Sequence, residues 1–427
     1  MAERNALLLE AAERFGTPAY VYDMDEIGRR ARTLKEAFGG RLAISYAVKA
    51  NPNLALLRRM ASLTATLDVS SYGEVKRALA AGCAPGRLTF SGPAKRAAEV
   101  RGAVVDRVGE LVLENWGEAE AADRAAAEMG RRQPVLIRIN PASRPKKFGV
   151  SFAGRASQFG FDEEVVDEVV QRLARLKSLN LVGFHIFSGV NSLDPAAIAE
   201  NFQIMAGLFE RTCGAADTTP AKLVFGAGFG VPYTTTEQPL DLDAVVAGIA
   251  PILDALKAQP RFSRTTFVLE LGRWLVGPAG WLLTSVVAEK ASRGVDFRAC
   301  DAGFNNHLAA FGLMGTVIRR NWPIANLSNP RGETRAYTLV GPLCTSIDVL
   351  ASDLELPEAR IGDVLVVESS GAYGFTASPT RFISHPEPAE VLIEGGALLD
   401  ASEAAADLRP MSPDRSVCRT ESAAQQG

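Results

Sequence analysis

Long apolar runs, paired cysteines and an excess of positive charge are all missing from this chain of 427 residues. No uninterrupted apolar stretch reaches bilayer-spanning length, and the opening M-A-E-R-N lacks the basic-then-apolar order of a signal peptide, so a cytoplasmic location is expected. The five cysteines, Cys83, Cys213, Cys300, Cys344 and Cys418, are odd in number and show no C-x-x-C spacing, which argues against a disulfide framework or a zinc cluster. No metal is expected. With 22% charged residues and a formal net charge of -3, the chain offers no basic field for nucleic acid or an anionic membrane, and neither is an expected partner.

What is present is apolar residue, 47% of the chain, at a length that suggests more than one structural unit. From Leu42 to Glu270 short apolar runs alternate with amphipathic segments about every thirty residues, the rhythm of β-α units. Eight runs qualify as strands: Leu42–Ala47, Ala65–Val69, Leu88–Phe90, Glu110–Leu113, Val135–Ile139, Leu181–Ile186, Leu223–Phe225 and Thr266–Glu270. The economical reading is α/β plus all-β: a (β/α)8 TIM-like barrel over 24–270 with a C-terminal β domain. A doubly wound open sheet is the alternative, because the same alternation serves both. Beyond Glu270 strand-like stretches follow one another without long helices, so 271–398 read as the β domain, to which 1–23 return through the strand-like Ala19–Asp23. The Ala-, Ser- and Gln-rich stretch 399–427 reads as a flexible tail.

In a parallel barrel the reactive side chains sit at the carboxyl ends of the strands, so polar residues just after each apolar run are the candidates. Lys49 follows the first strand among small and apolar neighbours, where burial disfavours the ammonium form and makes the amine a better nucleophile towards an aldehyde. Asp68 closes the second strand and Arg138 lies in the fifth, either as site residues or as a structural pair inside the barrel. His185 ends the sixth strand, placed to stack on a flat heteroaromatic group while Ser188 reaches a phosphate; a satisfied structural histidine is the plainer alternative. Strand seven runs into Gly226-Ala227-Gly228-Phe229-Gly230, whose amides suit a phosphate. A dinucleotide fold is the weaker use of that turn, since no acidic residue follows at the expected distance. The last strand ends Glu270-Leu271-Gly272-Arg273, a carboxylate, a flexible backbone and a cation within four residues. In the β domain, Cys344 in Gly341-Pro342-Leu343-Cys344-Thr345-Ser346-Ile347-Asp348 offers a proton-donating thiol, and Tyr373 on a glycine-flanked turn suits a phosphate or packing.

Taken in order, Y-A-V-K-A-N, H-x-x-S-G, G-x-G-F-G, E-x-G-R, G-P-x-C-x-S-x-D and G-A-Y resemble the fold-type III pyridoxal-phosphate (PLP) decarboxylases, the group of diaminopimelate, ornithine and arginine decarboxylases, over about Thr17 to Pro388. The resemblance implies PLP as cofactor, with Lys49 as its Schiff-base lysine, His185 stacked on the ring and Glu270 at the ring nitrogen. Ser188, Gly226, Ala227, Gly228, Gly272, Arg273 and Tyr373 would contact PLP, largely at its phosphate, with Asp68 and Arg138 nearby. It also implies a homodimer in which Cys344 and Asp348 reach the partner's PLP. Three departures bear on the substrate. Thr345 stands where these families carry Glu or Asp for a distal amine, and Asn305 to Gly312 lack the Arg-Pro and Tyr that clamp a distal carboxylate in diaminopimelate decarboxylases. Phe382-Ile383-Ser384-His385-Pro386 replaces the usual F-N. These variants are similar to the subgroup of the butirosin glutamyl-carrier-protein decarboxylase, implying a substrate tethered to an acyl carrier protein. The alternatives are decarboxylation of diaminopimelate or another free amino acid, racemisation, which Glu270 disfavours by strengthening the electron sink, and a non-catalytic regulator. His307 and Val317 to Asn321 are expected to line the entrance, with Arg319 or Arg320 meeting the carrier or its phosphopantetheine.

Overall fold

A computed structural model describes residues 2–145, 148, 150–151, 153–314 and 320–403. The chain opens with helix α1 (Ala2–Phe15), strand β1 (Ala19–Asp23) and helix α2 (Met24–Phe38). Asp23 begins α2 by accepting from the Glu26 amide, and Gly39 ends it at φ 54°, where a side chain would be strained. The β-α units follow as β2 (Ala43–Ala47), α3 (Leu54–Leu63), β3 (Thr66–Val69), α4 (Tyr72–Ala80), β4 (Leu88–Phe90), α5 (Ala97–Val105), β5 (Glu110–Leu113), α6 (Trp116–Glu128), β6 (Gln133–Asn140), α7 (Val166–Leu173), β7 (Leu179–Phe187), α8 (Pro195–Ala215), β8 (Lys222–Gly226), α9 (Leu242–Ala258) and β9 (Thr266–Leu271).

Strands β2 to β9 pair in parallel in chain order and β9 pairs back with β2, so the sheet is a closed eight-stranded barrel and not an open doubly wound one. Helices cover its outside through apolar stripes. Phe225 of β8 stacks on Phe202 of α8 with centroids 5.2 Å apart and meets Phe209 edge-on at 5.1 Å. Truncating one such ring to alanine costs about 3–5 kcal/mol.

The chain then builds a second, largely antiparallel sheet from β10 (Gly280–Ser292), β11 (Val295–Cys300), β12 (Ile324–Asn326), β13 (Thr334–Val340), β14 (Val349–Pro357), β15 (Val364–Val367), β16 (Ala389–Glu394) and β17 (Ala397–Asp400), with β11 and β13 paired in parallel. Strand β1 lies between β10, antiparallel, and β16, parallel, so the segment that precedes the barrel is stitched into the second sheet. Helix α1, which the sequence reading does not contain, covers that sheet by burying Leu8, Ala11 and Ala12 with Val21, Trp281 and Val391. The sequence places the start of a tail at Leu399, but β17 continues to Asp400 and Glu403 accepts from the Leu54 amide and from Arg77. Residues 404–427 of that expected tail, and Cys418 with them, lie outside the described residues. Among the described residues no helix is long and apolar enough to cross a membrane.

Candidate active site

The barrel register decides which side chains share its carboxyl rim. Glu270 pairs with Gly226 on one side and Ser45 on the other, and His185 pairs with Arg138. After β2 a single tight turn, Val48–Ala50, brings Lys49 back over the rim. Its Nζ lies 3.8 Å from Glu270 Oε1 and 5.3 Å from the centre of the Phe187 ring. The second oxygen of Glu270, Oε2, is 2.8 Å from His185 Nε2.

These contacts set the protonation of the group. Burial works against ionisation of Glu270, but the hydrogen bond to His185 and the charge of Lys49 outweigh it and push the carboxyl down to about 2. Burial likewise works against the Lys49 ammonium, as its neighbours suggest, yet Glu270 and then Asp68 overcome it and raise its proton affinity above the ordinary lysine value. The expectation of an amine depressed by burial is thus corrected: two carboxyls close by decide the sign. Asp68 moves the other way. Burial and the Glu270 charge raise it well above the carboxylate range, and among the described residues neither of its oxygens has a hydrogen-bond partner.

The opposite wall is built for close approach. A Cβ at Gly226 would fall 2.3 Å from Phe187 Cδ2, and one at Gly228, where φ is +64°, would fall 2.5 Å from the Gly189 carbonyl oxygen and 2.8 Å from the Phe148 ring. Ala227 between them is fully buried, and so is Ser188, whose carbonyl accepts from the Ala153 amide at 3.3 Å. At the far end a Cβ on Gly272 would meet Ala50 Cβ at 2.7 Å. Arg273 donates to Tyr233 Oη at 2.5 Å and lies 4.6 Å from the centre of the Tyr373 ring, whose backbone amide donates to the Ala50 carbonyl at 2.8 Å. Lys49, Phe187, Gly228, Glu270, Arg273 and Tyr373 line one narrow cleft.

Other predicted site residues stand elsewhere. Arg138 donates through Nη1 to both oxygens of Glu114, at 3.1 Å each, so its partner is Glu114 and not Asp68. It does not line the cleft, although its charge reaches Lys49 and Glu270. His307 lines no entrance: it is fully buried, with its ring edge-on to Trp322 at 4.7 Å, and burial pushes it down to about 3. Asp348 spends its carboxylate on backbone, accepting from the Leu343 amide of its own loop and from the distant Phe304 amide at 2.8 Å each. Cys344 is exposed, and Thr345 lines a separate cleft with Lys290, Leu343 and Ser346, so neither joins the Lys49 cleft of its own chain. Of the expected entrance residues Val317 to Asn321, Val317, Ile318 and Arg319 lie outside the described residues and Arg320 is exposed.

Four contributors were not read from the sequence. Glu114 stands directly after the run Glu110–Leu113, where the strand-end rule points. Glu74 lies on α4, accepts from the Ser70 amide, and is raised by burial against the pull of its Ser70 bond and Lys49. Phe187 and Tyr233 show no signal in a single sequence, since rings in apolar surroundings read as core.

The residues present fit PLP. The unpartnered oxygens of Asp68 and the unpartnered Nδ1 of His185, buried among the described residues, are polar atoms a ligand could meet, and Gly228 shares the cleft with Arg273, whose guanidinium suits a phosphate. Residues 24–277 match the family model described as the pyridoxal-dependent decarboxylase pyridoxal-binding domain. The chain belongs to the pyridoxal-dependent decarboxylases, and it is a PLP-dependent amino-acid carboxy-lyase. It is 32% identical over 391 residues to the L-glutamyl-(BtrI acyl-carrier protein) decarboxylase of Niallia circulans, covering 90% of each chain. It is 34% identical over 393 residues to the diaminopimelate decarboxylase of Pseudomonas aeruginosa, covering 91% of this chain and 90% of that one. The crystal structure of diaminopimelate decarboxylase from Helicobacter pylori complexed with L-lysine superposes with a TM-score of 0.82 at 30% identity, covering 92% of this chain and 95% of that one.

Proposed function

We propose that this enzyme removes the α-carboxylate of an amino acid whose side chain is held as a thioester on an acyl carrier protein, a glutamyl group being the first candidate. The observation that carries this reading is that the two segments matching the distal-charge binders of the resembled decarboxylases are uncharged here. Across Asn305–Gly312 the sole titratable side chain, His307, is buried and kept neutral at physiological pH, and Thr345 is uncharged. A distal carboxylate or ammonium would lose its water there without gaining a partner, a cost of several kcal/mol in order of magnitude. A tethered side chain has no such charge. The similarity to the L-glutamyl-(BtrI acyl-carrier protein) decarboxylase of Niallia circulans supports the same assignment.

In this reading Lys49 would hold PLP through Nζ, Glu270, whose second oxygen His185 fixes, would serve its ring nitrogen, and Ser188, the 226–228 turn, Gly272, Arg273 and Tyr373 would hold its phosphate. PLP supplies an electron sink for the pair left when the bond to carbon dioxide breaks. Asp68, whose proton affinity burial and the Glu270 charge raise, lies close enough for its field to reach Lys49. Arg138 and Glu114 act from behind as a buried pair that fixes the rim. Cys344 Sγ returns a proton to the α-carbon, and since it stands exposed beside Ile347, itself 50% exposed, we assign this step to the neighbouring subunit of a homodimer, with Thr345 facing the substrate side chain. An exposed free thiol fits a reducing, cytoplasmic compartment. The test is carbon dioxide release from free diaminopimelate, lysine, ornithine, arginine and glutamate beside glutamyl thioesters on carrier protein. Release confined to the thioesters is expected; efficient release from a free diamino acid would overturn the tethered reading and leave a free amino-acid decarboxylase.

A further inference from the structure

The loops around the cleft carry a charge bias that the whole chain hides. The chain holds 49 acidic and 46 basic residues, yet the stretches 141–160, 186–193, 226–236 and 302–332 contain no Asp or Glu at all. Stretches of that combined length would hold several acids at the average frequency. The first of them carries Arg144, Lys146, Lys147 and Arg155, and the last carries Arg319, Arg320 and Arg331. Lys146, Lys147 and Arg319 lie outside the described residues and are not used further.

Three exposed arginines stand on segments that contact one wall of the cleft. Arg155 is exposed and stands two residues beyond Ala153, whose amide bonds the Ser188 carbonyl. Arg144 is exposed beside it, since a Cβ on Gly154 would touch Arg144 Cγ at 3.5 Å. Arg320 is exposed two residues before Trp322, which stacks on Tyr233 at 4.3 Å, and Tyr233 holds Arg273 in the cleft. The strand pair Gly189–Val190 with Val150–Ser151 and the Phe148 ring against Gly228 tie the first loop to the same glycine turn from which Tyr233 follows. The guanidiniums thus hang from segments that all rest on the Ser188–Gly228–Tyr233 wall.

We propose that Arg144, Arg155 and Arg320 form a docking rim for the acidic face of the carrier protein that brings the acyl substrate. The proposal rests on the tethered reading above and deepens it by naming the surface. A carrier's arm reaches a buried lysine only if the carrier body settles at the mouth, and a rim carrying three exposed arginines attracts an acidic body while costing the small substrate nothing. Rim charges act on encounter, so their effect falls on KM and on salt dependence.

The experiment is the triple charge reversal R144E/R155E/R320E in the PLP-loaded enzyme, assayed with glutamyl-carrier protein and with glutamyl-N-acetylcysteamine thioester, which has no carrier body. Expected are a rise in KM for the carrier substrate of roughly tenfold or more with kcat little changed, and kcat/KM for the small thioester within about twofold of wild type. The wild type should lose carrier kcat/KM between about 50 and 500 mM salt while the variant stays flat. An unchanged carrier KM at low salt would overturn the proposal, and so would equal losses on both substrates, which would place the effect in the site and not at the surface. A wild type that decarboxylates the small thioester or a free amino acid but leaves the carrier-bound one untouched defeats the tethered reading and the docking rim with it.

Discussion

Replacing Glu270 by glutamine keeps the shape of the side chain and removes its charge, so Lys49 should become markedly less basic. The Lys49 Nζ to Glu270 Oε1 distance is 3.8 Å. At an effective dielectric of about 20 that separation is worth about 4 kcal/mol. The Lys49 side chain is 38% exposed, and solvent screening trims the figure to roughly 2 kcal/mol. At about 1.4 kcal/mol per pKa unit, Lys49 should fall by roughly 1.5 units, with Asp68 left to sustain the rest of its elevation. The assay is the pH dependence of Lys49 acylation by a small reagent, read by peptide mass spectrometry, in the wild type and in E270Q. The variant should acylate Lys49 at lower pH, and its decarboxylation kcat should drop on the order of a hundredfold. A Lys49 titration that stays in place, or moves upward, would refute the account of this pair.

Tyr233→Phe keeps the stack on Trp322 but frees Arg273 from its 2.5 Å hydrogen bond; PLP affinity and kcat/KM should fall roughly tenfold, and an unchanged PLP titration would show that Arg273 needs no such holder. Mixing Lys49→Ala with Cys344→Ala protein, each nearly inactive, should restore roughly a quarter of wild-type activity through hybrid dimers with one complete site; no recovery after subunit exchange would place Cys344 outside a shared site. Glu390 is pushed up to about 7 by burial, with the Glu403 charge adding to it, while the Tyr22 hydroxyl donates to its Oε1. Because the folded state then binds more protons than the unfolded one between about pH 4.5 and 7, stability should decline as pH rises through that window, by about 3 kcal/mol from this group. Glu390→Gln should flatten the decline and raise the melting temperature at pH 8 by a few degrees relative to wild type, with little gain at pH 4; equal gains at both would assign the effect to packing.

The sequence by itself determined the parallel β-α units and the rim, while their alternation served a closed barrel and an open sheet alike, and the pairing of β9 with β2 decided for the barrel. In either sheet whatever follows each run is delivered to one end, which is why Lys49, Asp68, His185, Gly226–Gly228 and Glu270 could be found one strand at a time. It also displayed, in Thr345 and Asn305–Gly312, neutral residues where the resembled decarboxylases carry charge. What only the tertiary structure decided concerns pairs drawn from distant strands. Arg138 answers to Glu114 and not Asp68, His185 holds Glu270, Asp348 is consumed by the amides of Phe304 and Leu343, and His307 is buried against Trp322. The proton affinity of Lys49 turned on the same cause: apolar neighbours in the chain argue for a weak base, but the field at Nζ falls off with distance in space, and the nearest carboxyls arrive from β9 and β3.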